Sequence, residues 1–178
     1  MPRPSPVNTP QLVIGAAGET DAVILSCVTE LYRSAGLSRI YYSAFRAMPG
    51  TRFAGHPSTP AWRTNRWYQI DYLLREYGIT EEELRTAIGK NGALADVDPK
   101  EVLAWDLDRI DPNTATYEDL IRVPGIGPET ARTILHLRSK RPITPADIGT
   151  GGLIARRAGP FLTITQETGR QETLTLFS

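Results

Sequence analysis

Residues 120–137 read LIRVPGIGPETARTILHL. Their order predicts a helix, a tight glycine turn and a second helix. Leu120, Ile121 and Val123 supply the apolar side of a short first helix. Pro124-Gly125-Ile126-Gly127 cannot extend it, because proline has no amide hydrogen and glycine favours the turn. Pro128 suits the first position of the next helix, where its missing donor costs nothing. Ala131, Ile134, Leu135 and the aliphatic stem of Arg138 recur every three or four residues, the period of one helix face. Ala131 is small where two helices must approach closely. Thr116 and Asp119 cap the first helix, so the unit spans residues 117–138.

The turn carries a chemical expectation. Gly125 and Gly127 have no side chain to hold a ligand away. Amides opening the second helix, from Gly127 to Thr130, lack intrahelical acceptors and carry the positive end of the helix dipole. A phosphate fits such a site. The alternative is a plain helical hairpin that binds nothing. The order Leu-x-x-Val-Pro-Gly-Ile-Gly-x-x-x-Ala-x-x-Ile resembles the helix-hairpin-helix motif of DNA-repair and recombination proteins. The resemblance implies non-sequence-specific DNA binding through Gly125, Ile126, Gly127, Glu129 and Thr130. It also implies a monovalent cation held by the carbonyls of Ile121, Val123 and Ile126, bridging to the phosphate.

The distribution of charge agrees with that expectation although the total is silent. The chain carries 20 Lys and Arg against 20 Asp and Glu, a net charge of zero. Residues 71–120 hold 13 acids and 5 bases. Residues 121–160 hold 7 bases (Arg122, Arg132, Arg138, Lys140, Arg141, Arg156 and Arg157) and 2 acids, Glu129 and Asp147. A basic segment around a phosphate-shaped turn is the footprint of a nucleic-acid site. Arg132, Arg138, Lys140 and Arg141, with Arg156 and Arg157, would supply field and further phosphate contacts. A solvated basic face is the alternative.

Cys27 is the one cysteine, which excludes an internal disulfide and a multi-cysteine metal site within this chain. It lies in line with Val23, Ile24 and Leu31, which predicts core packing. No signal peptide and no apolar run long enough to span a membrane is present, so a cytoplasmic protein is expected.

The chain as a whole reads as α+β. Residues 1–10, with four prolines, predict a disordered leader. Residues 11–60 predict a βαβ unit and an extended connection. Its strands fall at residues 11–16 and 39–45, around a helix carrying Val23, Ile24, Cys27, Val28, Leu31 and Ala35 inward. Thr20 or Asp21 would cap that helix. Residues 46–65, rich in proline and glycine, predict a surface connection, and His56 within it has no ligand partner nearby. Residues 61–160 predict a mostly helical domain containing the hairpin. Its first helix buries Trp67, Ile70, Leu73, Leu74 and Tyr77. Thr80 and Glu83 cap a second, and Asp98-Pro99 opens a third that would bury Val102, Leu103 and Trp105. Residues 161–178 form a tail.

The stretches VIGAAGETDAVIL, GLSRIYYSAFRAMPGTRF, RWYQIDYLLREYGITEEEL and DPN, followed by the hairpin, resemble the C-terminal portion of radical SAM proteins of DNA modification or repair. That likeness implies that the βαβ unit is a piece of a partial radical SAM barrel. It implies SAM contacts at Ile14, Gly15, Gly18 and Glu19, which match a Gly-x-x-Gly-Glu turn. The Cys-x-x-x-Cys-x-x-Cys loop that ligates the four-iron cluster is absent. SAM and a 4Fe-4S cluster therefore require a partner chain carrying the missing strands. The terminal Leu174-Thr175-Leu176-Phe177, with Gln171 near, resembles peptides that dock on the bacterial sliding clamp. A third expectation is a hairpin-bearing DNA glycosylase, with Asp147 at the spacing of its catalytic aspartate. A structural protein-interaction module is a fourth.

Overall fold

The computed structural model describes residues 10–148 and 152–164. Residues 1–9 of the expected leader, residues 149–151 and the clamp-like terminus lie outside the described residues. The chain divides into two compact units, Met1–Val102 and Leu103–Ser178, rather than after residue 60. The first keeps the helices of residues 61–86 because they pack on the strands and helix before them.

The first unit is built on β1 (Gln11–Ile14), α1 (Asp21–Ala35) and β2 (Tyr41–Ala44). The strands pair in parallel, Gln11 opposite Tyr41 and Ile14 opposite Ala44. Among the described residues the sheet has these two strands. It buries Ile14 and Tyr42 and exposes Val13 and Tyr41, so β1 is half-covered. Next come α2 (Ala61–Glu76), α3 (Glu81–Thr86) and α4 (Pro99–Leu103). The irregular connection ends at Pro60, five residues short of its expected limit, because Pro60 itself opens α2. Trp67, Ile70 and Leu73 bury the α2 stripe as predicted. Thr80 and Glu83 form the expected capping box of α3.

Three packing expectations need correction. In α1 the buried face is Asp21, Ile24, Leu25 and Val28, whose spacings of three, one and three fit one helical stripe. Cys27 and Ala35 stand exposed, and Val23 is 58% exposed. The helix is turned so that Leu25, not Cys27, meets the core. The helix after Asp98 stops at Leu103, and Trp105 is 68% exposed. Its place in the interior is taken by Ala104.

Asp21 also has a task beyond the cap, which Thr20 supplies. Its carboxylate is fully buried. Oδ1 accepts from Arg63 Nε at 2.8 Å and from Trp67 Nε1 at 2.7 Å, and Oδ2 accepts from the Leu94 amide at 2.8 Å. One carboxylate thus joins α1, α2 and the loop before α4. A second buried acid, Asp71, accepts from the hydroxyls of Tyr32 and Tyr42 and from Arg75 Nε. Burial beside that carboxylate pushes both tyrosine hydroxyls well above their ordinary range.

The second unit contains α5 (Tyr117–Arg122), α6 (Pro128–Arg138), α7 (Pro145–Ile148) and α8 (Leu153–Ala158), then a 3-10 turn at Gly159–Phe161. Its core gathers Leu120, Ile121, Val123, Ile126, Ala131, Ile134, Ile143, Ile148 and Ala158. Ile110 and Leu162 form a parallel bridge that closes the chain after the turn. No described helix is long and apolar enough to cross a membrane.

Candidate nucleic-acid interface

The hairpin forms where the sequence places it. Thr116 caps α5: its Oγ1 accepts from the Asp119 amide at 3.1 Å and donates to Asp119 Oδ2 at 2.7 Å. The Thr116 amide donates to the same oxygen at 3.0 Å. Val123 leaves the helix in extended conformation, and its carbonyl accepts from Ile126 N–H at 3.0 Å. Gly125 sits at φ +87°, in the left-handed region where a side chain is strained. Gly127 is the N-cap of α6 with φ −96° and ψ 175°, and Pro128 follows at its first position. Leu120, Val123, Ile126, Ala131 and Ile134 are buried against one another's helices, which fixes the turn between α5 and α6.

The amides of Gly127, Glu129 and Thr130 donate to no other described residue, as the first turn of a helix requires. Ile126 departs from the expected anion set. Its side chain is fully buried and its N–H is spent on the Val123 carbonyl. Gly125 is half-buried for a reason invisible in sequence: α8 lies on it. A Cβ at Gly125 would stand 3.0 Å from Arg157 Cβ and 3.2 Å from the Ile154 carbonyl oxygen. The three amides without a partner among the described residues are those after the turn.

The basic residues separate into groups. Arg132 lies one turn into α6, stacked over the Tyr117 ring with its guanidinium carbon 5.9 Å from the centroid, and is exposed. Arg156 is exposed on α8, and Arg157 is half-buried against the turn. Arg138, Lys140 and Arg141 lie at or beyond the far end of α6, roughly 15 Å along its axis from the free amides. Arg138 is turned back into the fold, donating to the carbonyls of Pro112 at 3.2 Å and Ala115 at 2.5 Å. Arg141 clamps Asp147 with two bonds of 2.7 and 2.6 Å. The basic segment is thus not one group: Arg132 and Arg157 lie by the turn, while Arg138 and Arg141 are engaged at the far end of α6. The helix rise, not the residue count, separates them.

Asp147 is committed as well. Beyond the Arg141 clamp it accepts from the Thr144 amide and hydroxyl, each at 2.9 Å. The Arg141 guanidinium and then the Thr144 amide hold its carboxyl well below the usual carboxylate range. Asp119 is held low by the Thr116 hydroxyl and amide. Both carboxyls have folded values below their unfolded ones. Their contribution to stability is complete above the unfolded value of about 4 and is lost as pH falls through the folded values. The melting temperature of the second unit is therefore expected to be level from about pH 8 to 5 and to drop below about pH 4. Asp119→Asn should flatten part of that drop in a thermal-melt series against pH.

In the Gly-x-x-Gly-Glu turn of the first unit, Glu19 also faces inward to the backbone. Its oxygens accept from Gly15 N–H at 2.5 Å and Ala17 N–H at 2.9 Å. Thr59 Oγ1 donates to the Ile14 carbonyl at 2.7 Å and lies over Gly15, where a Cβ would meet it at 2.2 Å. The four residues close a turn upon itself. Gly15 and Gly18 both have positive φ there.

The profile of the helix-hairpin-helix motif matches residues 113–137. That motif is generally associated with non-sequence-specific DNA binding. No curated protein and no solved structure matches the chain.

Proposed function

We propose that the chain binds DNA without reading its sequence, through phosphate contacts at the start of α6. The observation that carries this is that the amides of Gly127, Glu129 and Thr130 have no partner among the described residues, at the positive end of an 11-residue helix. Arg132, exposed one turn into α6, stands beside that phosphate, and Arg156 and Lys140 add positive field. Phosphate contacts position a protein but carry no base code. The affinity should be weak, with a dissociation constant of about 10⁻⁴ to 10⁻⁶ M, and its salt dependence should reflect about two to four phosphates. A monovalent cation held by the carbonyls of Ile121, Val123 and Ile126 belongs to the same reading. The Val123 carbonyl keeps a second lone pair beside its bond from Ile126.

Gly127→Val tests the site directly. The backbone there is extended, a conformation any L residue adopts, so the variant's dihedral angles are unstrained, and a circular dichroism spectrum equal to the parent's checks that the fold is kept. Binding to a labelled duplex, read by fluorescence anisotropy, should weaken about tenfold or more, since hydrogen bonds to charged groups contribute about 1.5–3 kcal/mol each. A variant that binds as the parent does would remove the amides from the interface.

A repair or modification activity served by this binding belongs to the same reading and rests only on the resemblance of the surrounding sequence. This chain's donors do not fit the iron–sulfur cluster: Cys27 is alone and stands on the exposed side of α1. The glycosylase reading draws no support from Asp147, whose oxygens are taken by Arg141 and Thr144.

A further inference from the structure

We infer that Leu153 and Ile154 form an apolar wedge beside the hairpin, which fits DNA containing an unstacked base step better than regular duplex. The inference rests on the reading of the α6 N-terminus as a phosphate site and adds the kind of DNA that the site prefers.

Leu153 is 72% exposed and Ile154 39% exposed. Two large aliphatic side chains at adjacent exposed positions, inside a unit this small, need an occupant more than an isolated surface leucine does. Their place is fixed by the contact of α8 with the turn. Arg157 and Ala158 are the α8 residues nearest the Gly125 position, together with the Ile154 carbonyl. Residues three and four apart on a helix share a face. Leu153 and Ile154 therefore lie on the same side of α8 as Arg157 and Ala158, one turn nearer its start. Side chains in a helix lean toward its N-terminus, so these two overhang the end of the helix beyond Gly125. They are not covered by the turn, as their exposure shows.

The surroundings select the partner. The residues of α8 are LIARRA, with Arg156 exposed and no acid among them. The free amides of Gly127, Glu129 and Thr130 follow Gly125 by two to five residues in the chain. An apolar tip framed by positive charge and anion-seeking amides complements a nucleic acid, whose apolar base faces lie between phosphates. Proteins that hold the backbone often insert Leu or Ile between base steps, at the cost of unstacking them. A site already unstacked spares that cost, so the preference is for a mismatched or distorted step.

The test uses the full chain and two labelled duplexes, one fully paired and one with a single central mismatch. The parent should bind the mismatched duplex about tenfold tighter. The double variant Leu153→Ser with Ile154→Ser should bind both duplexes alike, at the parent's affinity for paired DNA. The double variant to Met, which keeps apolar volume, should retain the preference. A circular dichroism spectrum equal to the parent's confirms that the exposed substitutions leave the fold intact. A parent that binds both duplexes equally overturns the wedge and leaves the phosphate site standing. A serine variant that keeps the preference overturns it too. So does a parent that sediments as a dimer and becomes monomeric on serine substitution, because the patch then belongs to a second copy. A parent that binds neither duplex overturns the phosphate site itself.

Discussion

Gly125→Val is expected to cost the second unit about 2–6 kcal/mol and to abolish measurable duplex binding. The first part of the cost is conformational. Gly125 holds φ +87°, and a β-branched residue forced into that region is strained by about 1–3 kcal/mol. The second part is steric. A Cβ stands 3.0 Å from Arg157 Cβ and 3.2 Å from the Ile154 carbonyl oxygen, and the γ carbons of valine add to the crowding. The carbonyl is helix backbone, so relief requires α8 to lift as a body. Overpacking of this kind costs about 1–3 kcal/mol. Binding fails because the turn that aims the Gly127, Glu129 and Thr130 amides is the part displaced. Hydrogen exchange across α5, α6 and α8 would show the loss as faster exchange, and anisotropy with a paired duplex would show the lost binding. A valine chain with parental exchange and parental binding would mean that α8 does not rest on the turn.

The comparison with Gly127→Val separates two uses of glycine within three residues. Gly125 is required by the backbone and by a neighbouring helix. Gly127 is not required by its backbone, whose φ of −96° suits any residue. A change at Gly127 should affect binding while sparing most of the fold, and one at Gly125 should affect both. A hairpin whose glycines served only the turn would show no binding defect at Gly127.

This division also marks how much was legible beforehand. The hairpin could be read because its determinants are local: proline and glycine punctuation, and a threonine that meets an acid three residues on. The same grammar marks the cap at Thr80 with Glu83. The parallel β1–α1–β2 order was legible from element lengths. What failed depended on contacts distant in sequence. Val23 and Cys27 share a plausible stripe with Ile24, and only the packing of α1 shows that Leu25 faces in instead. Trp105 looks like core in any local window and stands in solvent. Arg138 and Arg141 look like free charges beside the turn. Their carbonyl and carboxylate partners, some close in the chain and some 26 residues away, were not marked by any motif. Leu153 and Ile154 followed three glycines and gave no periodic signal, so their position over the turn was hidden until α8 was placed on Gly125.

The largest loss of stability is expected in the first unit, from Asp21→Ala. Asp21 was legible only as a candidate cap, since an acid after a threonine at a helix start is common. Its burial makes it a junction instead. Removing the carboxylate leaves three donors without their acceptor: the Arg63 guanidinium Nε, the Trp67 indole N–H and the Leu94 amide. Arg63 is mostly covered, and stranding one member of a buried charge pair costs about 3–5 kcal/mol. Asp21→Asn should cost less than the alanine change, because one oxygen remains to accept, yet its NH2 would face one of the same donors. Arg63→Met removes the charge partner too, so the double variant Asp21→Ala with Arg63→Met should be more stable than Asp21→Ala alone. That coupling is measurable in a double-mutant cycle by urea unfolding, with Trp67 as the reporter. Additive losses would show that the pair is not a unit.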